Sequence, residues 1–536
     1  MPTVSQTFAN ALADRGIQYA FGIPGGPWIP YMDAMERRGI RFILTANEAS
    51  AAFMADVCAR ITGIPAVCHG TFGPGATNLA TGVCSAFLDR SPLIAVTTEL
   101  GAAMRSRTTQ MNIDHQALFA PITKWTTRLS PETVAETVYR AVDTAMAEVP
   151  GPVHIGHPVD ITDLPSDTGS FPTAGPGNPA PPSDEALSAA AAMLQRARKP
   201  IFAVGLTAAR FRMDDAVRRI AERFGAPVVL TPMAKGLLSE DHPAYAGVLF
   251  HACSRLLGGV IGQADLVVGL GYDPVEFNYE SWFPDAPLLH IDTVPADIDA
   301  SIRLAGECVG DLAVSAARLA DLPAKRSGWD LDDLADHRRR LQAAVRPGGP
   351  GFSPDVALDI LRGLMPGDAV MTCDVGAHTH LIGQLWRTPA PGLQLMTNGG
   401  SSMGFGIPAA IAAKLCLPDR KVACVTGDGG FLMMAGELVT ARRLGLDVLF
   451  VVLADRSLSL IEVKQAWRGS SGQSSILYEG GLIEADRIFG VPVQRADRPD
   501  AFLESVRAAL SLSGPSVIEA VVDRTGYHHL ISRSYR

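Results

Sequence analysis

Lys421-Val-Ala-Cys-Val-Thr-Gly-Asp-Gly-Gly430 is a run of aliphatic and β-branched residues that stops abruptly in a glycine-flanked aspartate, Asp428. Val451-Val-Leu-Ala-Asp-Arg-Ser457 follows the same plan and stops at Asp455. Each pattern predicts a buried strand with polar residues at its end. Between them, Phe431 to Leu444 has the length and periodicity of one helix, closed by Gly445. A strand–helix–strand unit is right-handed with parallel strands in nearly every case. Both aspartates are therefore expected on one edge of a sheet, at the carboxyl ends of its strands, where open α/β sheets bind ligands.

Two carboxylates brought together repel unless a cation lies between them, and hard oxygen ligands suit Mg²⁺ or Ca²⁺. Mg²⁺ takes one or two carboxylates and fills its shell with waters and phosphate oxygens. Gly427, Gly429 and Gly430 let the backbone approach a phosphate at the start of the next helix. A lone Gly-Asp-Gly-Gly reads equally well as a tight turn. The second aspartate at a matching strand end shifts the reading to a metal-bridged diphosphate.

With 536 residues, 47% of them hydrophobic, the chain can fill about three cores. Leu164–Ser183 and Arg346–Pro354 are rich in Pro and Gly and read as linkers. They delimit blocks 1–165, 184–343 and 354–525, in which short apolar runs such as Pro200–Gly205, Ala264–Leu270 and Pro287–Asp292 alternate with helical patterns. The expected fold class is α/β, with three doubly wound parallel-sheet domains. A net charge of −9 gives no footprint for nucleic acid. No apolar run has the ~18–20 residues of a membrane span. The start of the chain lacks the pattern of a signal peptide, and eight cysteines without a Cys-x-x-Cys pair suit reduced thiols. A cytoplasmic protein with no membrane or nucleic-acid partner is expected.

The first block has its own cluster. Tyr19-Ala-Phe-Gly-Ile-Pro-Gly-Gly26 is a strand running into a turn, and Ala66 to Gly73 a strand opening into a Gly-Pro-Gly loop. Arg41 to Glu48 reads as a buried strand ending at a glutamate, followed by an alanine-rich helix from Ala49 to Arg60. Glu48 could be an ordinary first-turn acid favoured by the helix dipole. Its place between glycine-rich loops instead suits a desolvated acid–base group.

Phe21-Gly-Ile-Pro-Gly-Gly, Asn47-Glu48-Ala, Gly73-Pro-Gly-Ala-Thr-Asn-Leu79, Gly404-Phe-Gly-Ile-Pro-Ala-Ala410 and the Gly427-Asp-Gly module together resemble the thiamine-diphosphate enzymes, acetolactate synthases most of all. Gly271-Tyr-Asp-Pro-Val-Glu-Phe with His290-Ile-Asp resembles the catabolic, flavin-independent type, so no FAD is expected. The resemblance implies a pyrimidine-binding, a central and a diphosphate-binding domain, a thiamine diphosphate held with Mg²⁺, and a homodimer or homotetramer with sites shared between subunits. Glu48 matches the glutamate on the aminopyrimidine ring. Pro24, Gly25, Thr71, Pro74 and Asn78 match cofactor contacts of the first domain. Gly376, Ala377, His378, Ser401, Met403, Gly427, Asp428, Gly429, Gly430, Asp455, Leu458, Ser459 and Leu460 match those of the third block. Met403 corresponds to the residue that bends the cofactor. The metal ligands would be Asp428, Asp455 and the Ser457 carbonyl. Gly26, Phe72, Glu99, Ile461 and Lys464 would line the substrate pocket. The implied reaction is loss of CO₂ from a 2-keto acid, followed by addition to a carbonyl acceptor or protonation.

The chain departs from that pattern in places. Glu99 stands where a glutamine is common, a charge that would cost binding of an anionic keto acid unless Arg105 or Arg107 offsets it or the acceptor is not an acid. Gln110-Met111 replaces a His-Gln pair. A simple 2-keto-acid decarboxylase, for which His69, His115 and His378 are candidate groups, or an enzyme like sulfoacetaldehyde acetyltransferase, stays open. So does a non-enzymatic homologue. Gly400-Ser-Ser-Met-Gly404 also fits the nucleophile elbow of a Ser402 hydrolase, with Asp428 or Asp455 and His528 as partners. Val268-Gly-Leu-Gly-Tyr272 lacks dinucleotide spacing and reads as a strand-to-helix turn.

Overall fold

The computed structural model describes residues 1–166, 177, 179–250, 252–277, 286–346, 348, 351–470 and 472–530. Most of the first expected linker and part of the second lie outside them. Three sheets form, one in each block. The first contains β1 (Tyr19–Gly22), β2 (Arg41–Leu44), β3 (Val67–Gly70), β4 (Ile94–Glu99), β5 (Trp125–Arg128) and β6 (Val153–Pro158), in the order β2-β1-β3-β4-β6-β5. The second contains β7 (Pro200–Val204), β8 (Val228–Leu230), β9 (Tyr245–Val248), β10 (Leu266–Leu270), β11 (Leu288–Asp292) and β12 (Leu304–Val309), in the order β12-β11-β10-β7-β8-β9. The third contains β13 (Val370–Cys373), β14 (Gln394–Leu395), β15 (Val422–Gly427), β16 (Val448–Ala454), β17 (Arg487–Ile488), β18 (Val491–Ala496) and β19 (Ser516–Val521). Its order is β14-β13-β15-β16-β19-β18-β17. Every named pairing is parallel except β17 with β18.

Each sheet has a switch point in its strand order, between β1 and β3, between β7 and β10, and between β13 and β15. Such switch points part the loops at the carboxyl ends and open a crevice there. Strands β3, β4, β10 and β16 are buried along their whole length, as sheets covered on both faces require. The strand before Glu48 was expected to be buried too. It is β2, the sheet's edge, with Arg41 and Leu44 exposed.

By internal contacts the chain forms two compact units. One joins Met1–Asn178 with Gly399–Asp419 and Met433–Leu446, and so holds the first sheet. The other joins Pro179–Asn398, Arg420–Leu432 and Asp447–Arg536, and holds the second and third.

In the first unit the helix Glu48–Thr62 is buried on every side from Glu48 to Ala59. A helix apolar all round has to be covered all round. The helices Pro74–Leu88 and Gly406–Cys416 and strands β1 and β3 pack on it. Asn47 caps it through Ala49 N–H at 2.8 Å, and Gly63 ends it at φ +74°. The one charged cluster inside is closed: Arg60 binds Asp56 at 2.6 Å and Asp89 at 3.0 Å.

The single helix expected over Phe431–Leu444 is two, Asp428–Met434 and Glu437–Arg443. The break falls at Gly436, a weak helix former, where a Cβ would lie 3.2 Å from the Ala46 side chain. The segment after β10 is expected to turn into a helix, and its continuation over 278–285 lies outside the described residues. From Gly271 to Phe277 it is a turn, closed by Tyr272 O–H on the Phe277 carbonyl at 2.9 Å.

Gly82 marks the tightest crossing on the buried helix. A Cβ there would stand 2.6 Å from both the Ala49 carbonyl oxygen and the Ala52 Cβ. Helix propensity favours alanine over glycine by about 1 kcal/mol, but overpacking costs about 1–3 kcal/mol. Gly82→Ala is therefore expected to lower the thermal unfolding midpoint. Gly363→Ala, at a helical glycine with nothing within 4 Å, should hold or raise it.

Candidate active site

In the first unit the loops after β1, β2 and β3 meet at the switch point. Glu48 begins its helix directly after β2 and is only 7% exposed. Asn78 donates from Nδ2 to Glu48 Oε2 at 3.1 Å. A Cβ on Gly75 would lie 3.4 Å from Glu48 Oε1, and one on Gly25 would lie 2.5 Å from Thr71 Oγ1. Pro24, Gly25, Gly26, Thr71 and Phe72 lie on these loops, and Pro74, Asn78 and Glu48 in the first turns of the helices that follow them. The glycines leave an approach that any side chain would fill. Ser401 and Met403 lie in the same unit, on a connection fixed by Gly400 N–H to Asp89 Oδ1 at 3.0 Å.

Glu99 is differently placed than its sequence position suggested. Its carboxylate, 4% exposed, is ion-paired with Arg128 and not with Arg105 or Arg107. Gln116 donates to its other oxygen at 2.7 Å. A hydrogen-bonded series runs on from there. Gln116 Nε2 serves Glu99 and the Thr127 carbonyl, so Gln116 Oε1 must accept, and it takes the Thr126 hydroxyl at 2.7 Å. Thr126, its proton used, accepts from His154 Nδ1–H at 2.7 Å. His154 Nε2 is then an acceptor for the Thr97 hydroxyl at 2.7 Å, and Thr97 accepts from His115 Nδ1–H at 2.8 Å. Burial pushes the pKa of His154 well down, which keeps the neutral ring this order demands. His69 is likewise a core residue: it stacks on Trp28 with centroids 4.0 Å apart and donates Nδ1–H to the Val96 carbonyl at 3.1 Å. Gln110 and Met111 are exposed, and the Met111 carbonyl lies 3.0 Å from where a Gly73 Cβ would be.

In the second unit the loops after β13, β15 and β16 carry the other expected residues. The sheet pairs β15 with β16 in parallel and puts Asp428 and Asp455 at adjacent strand ends. Asp428 Oδ2 accepts from Arg456 N–H at 2.7 Å, from Asp455 N–H at 3.2 Å and from the Tyr478 hydroxyl at 3.1 Å. Its Oδ1 accepts from Gly429 N–H at 2.9 Å. Asp455 takes Ser457 N–H at 2.9 Å and the Ser459 hydroxyl at 2.6 Å. Among the described residues no Lys, Arg or His pairs with either acid within 4 Å. Burial raises the pKa of Asp428. Burial, and then the charge of Asp428, pushes that of Asp455 up to about 7. Two adjoining acids held only by neutral donors have the chemistry that would suit a divalent cation.

The diphosphate side fits as well. His378 is buried and its Nε2 has no hydrogen-bond partner. Burial brings its pKa down to about 4. A phosphate oxygen would give Nε2 a partner and draw a proton onto the ring. The imidazole lies 3.3 Å from where a Gly427 Cβ would stand, so a side chain there would press on the ring. Gly376 and Ala377 open the helix beside it, and a Cβ on Gly430 would lie 2.7 Å from the Asp374 carboxyl. Leu458 N–H binds the Ser475 carbonyl at 2.8 Å. In the helix Ser459–Arg468, Leu460 packs against the core, whereas Ile461 and Lys464 are exposed on its outer face.

Sequence reading missed Arg128, Asp374 and Tyr478, each distant in sequence from the residue it touches or adjoins. It also offered Ser402 as a nucleophile. An elbow needs the serine on a sharp strand-to-helix turn. Here β14 ends at Leu395 and the next helix starts at Gly406, with Ser402 Oγ on the Gly400 carbonyl at 3.4 Å. The hydrolase reading is withdrawn.

Family models match three stretches: the N-terminal TPP binding domain of thiamine pyrophosphate enzymes over residues 2–118, their central domain over 187–319, and their C-terminal TPP binding domain over 374–520. The chain is 29% identical to an acetolactate synthase of Bacillus subtilis, over 98% of this chain and 94% of that one. It is 30% identical to a catabolic acetolactate synthase of Raoultella terrigena, over 96% and 94%. It is 31% identical to a protein of Pseudomonas aeruginosa named as a probable 2-ketoarginine decarboxylase, over 96% and 93%. The chain belongs to the thiamine pyrophosphate enzymes and is an enzyme of the acetolactate synthase type.

Proposed function

We propose that the protein removes CO₂ from a 2-keto acid with thiamine diphosphate and Mg²⁺ and transfers the remaining acyl unit to a carbonyl acceptor. The observation that carries this reading is the buried Glu48 carboxylate, held by Asn78 between two glycine-bearing loops. The cofactor, when bound, supplies the acidic thiazolium carbon and the electron sink. Glu48 would hold and exchange a proton at the aminopyrimidine ring. Asp428, Asp455 and the Ser457 carbonyl would hold the metal, with His378 and the amides near Gly376 and Gly429 on the diphosphate. Met403 would support the bent form of the cofactor, and Phe72, Ile461 and Lys464 would border the substrate.

Transfer is favoured over simple decarboxylation because His69 and His115 are engaged in core hydrogen bonds. Neither is left to protonate a product carbon. The named Pseudomonas relative supports decarboxylation as the second reading. We propose a homodimer or homotetramer, the two half-sites coming from different copies, and a cytoplasmic location. No flavin is proposed: at the central switch point a Cβ on Gly271 would lie 2.4 Å from Ala208 N, so the two loops abut.

Mass spectrometry of products from a panel of 2-keto acids and aldehydes tests the reaction. Acyloins support transfer, and aldehydes alone support the second reading. Glu48→Gln should still bind thiamine diphosphate in calorimetry while turnover falls about 10²–10⁴-fold; full activity would refute the role. Asp428→Ala should lose cofactor binding.

Metal binding should depend on pH in a set direction. Asp455 holds its proton below pH of about 7 without metal. Mg²⁺ needs the carboxylate, so binding releases a proton below that pH and none well above it. Calorimetry should show an apparent Mg²⁺ affinity that rises with pH and levels off past neutrality. An affinity flat from pH 5.5 to 8.5 would contradict the paired-acid site.

A further inference from the structure

We propose that Glu437 is a positioning residue for Glu48, holding the turn that presents it. The inference rests on the reading of Glu48 given above. Glu437 is wholly buried, with 0% exposure. Its Oε1 accepts from two consecutive backbone N–H groups, Ala46 at 2.8 Å and Asn47 at 3.1 Å. Those residues are the connection from β2 to Glu48. Burial raises the pKa of Glu437, and the flanking hydroxyls of Thr440 and Ser50 and the two amides offset part of that rise, although Oε2 completes a hydrogen bond to neither hydroxyl.

The brace has other points of attachment. At the far end of the helix Glu437–Arg443, the Arg443 guanidinium donates to the Leu44 carbonyl. Gly436 lets the helix start close to Ala46. Ser50 donates its hydroxyl to Met434 Sδ at 3.2 Å. Residues 434–443 therefore fix the chain from 44 to 50, on both sides of Glu48.

Geometry explains the need. β2 is an edge strand, with Leu44 43% exposed, so the sheet covers the turn poorly. Asn47 uses its side chain to cap Ala49, which leaves the amides of Ala46 and Asn47 facing inward without a local acceptor. Two amides converging on one point form a small anion nest. A carboxylate there makes charge-assisted bonds, shorter and stronger than neutral ones. Small displacements of an acid–base group at a reacting centre are costly, and a misplacement of ~1 Å can cost about 10²-fold.

The test compares Glu437→Ala, Glu437→Gln and Glu48→Gln in the full chain. A glutamine oxygen can still accept both amides; alanine cannot. In Glu437→Ala we expect kcat to fall about 10²-fold with KM changed less than about threefold. Glu437→Gln should recover most of that loss. Hydrogen–deuterium exchange without cofactor should show faster exchange at Ala46 and Asn47 in Glu437→Ala, near wild-type rates in Glu437→Gln and Glu48→Gln, and unchanged protection in β15 and β16. If Glu437→Ala does not fold, Glu437→Asp, whose oxygen is withdrawn by one methylene, carries the same expectation. A folded variant with faster exchange at 46–47 and wild-type kcat overturns the proposal. So does an equal loss in the alanine and glutamine variants. Full activity in Glu48→Gln would refute the reading of Glu48 instead, and the exchange rates would still report whether Glu437 holds the turn.

Discussion

Asp428 and Asp455 lie side by side at the ends of neighbouring parallel strands, and no protein cation pairs with them within 4 Å among the described residues. Removing a carboxylate from water costs several kcal/mol even after relaxation. Backbone N–H groups of Gly429, Asp455, Arg456 and Ser457, with the hydroxyls of Ser459 and Tyr478, offset part of that cost. They do not cancel the cost of burial, which is why both acids hold their protons more tightly than free aspartate, Asp455 also because of the charge of Asp428. The local chain is shaped by this conflict. Gly427 and Gly430 keep side chains away, and the segment through Tyr478 folds back onto Asp428.

These strand ends were legible in the sequence because a buried strand must stop where polar residues begin. The same contrast marked Glu48, Gly25 and Thr71, and the glycines at the switch points. Residues whose partners are set only by tertiary packing were not legible. Arg128 meets Glu99 because β5 and β4 both flank β6, which no local pattern announces. The break at Gly436 is local in form but tertiary in cause, since it brings Glu437 to the amides before Glu48. β2 read as buried because Phe42, Ile43 and Leu44 are apolar; its place at the edge is a matter of topology.

Glu99 shows how a charge can look functional and be structural. At 4% exposure it would be a heavy burden unpaired, and Arg128 and Gln116 neutralise it within the sheet. The hydrogen-bonded series beyond it fixes the tautomers of His154 and His115, so those rings cannot move protons without breaking several bonds at once. Arg60, with Asp56 and Asp89, is a second closed set of this kind. Such sets define the core and leave no spare charge for a substrate.

Three other buried acids, Asp428, Glu437 and Glu519, each bind two or more backbone amides instead of a cation. Asp428 holds the amides of Asp455 and Arg456; Glu437 holds those of Ala46 and Asn47. Glu519, 1% exposed on β19, holds Leu482 at 3.0 Å and Ile483 at 3.3 Å, just beyond Tyr478. In each case the amides belong to a loop that carries or adjoins a site residue. A loop at a sheet edge has few apolar contacts to fix it, and its N–H groups need acceptors once buried. A carboxylate with no cation of its own meets that need with two bonds from one side chain. The fold thus sets these loops by the same chemistry, anion against amide, that the proposed diphosphate site would offer its ligand.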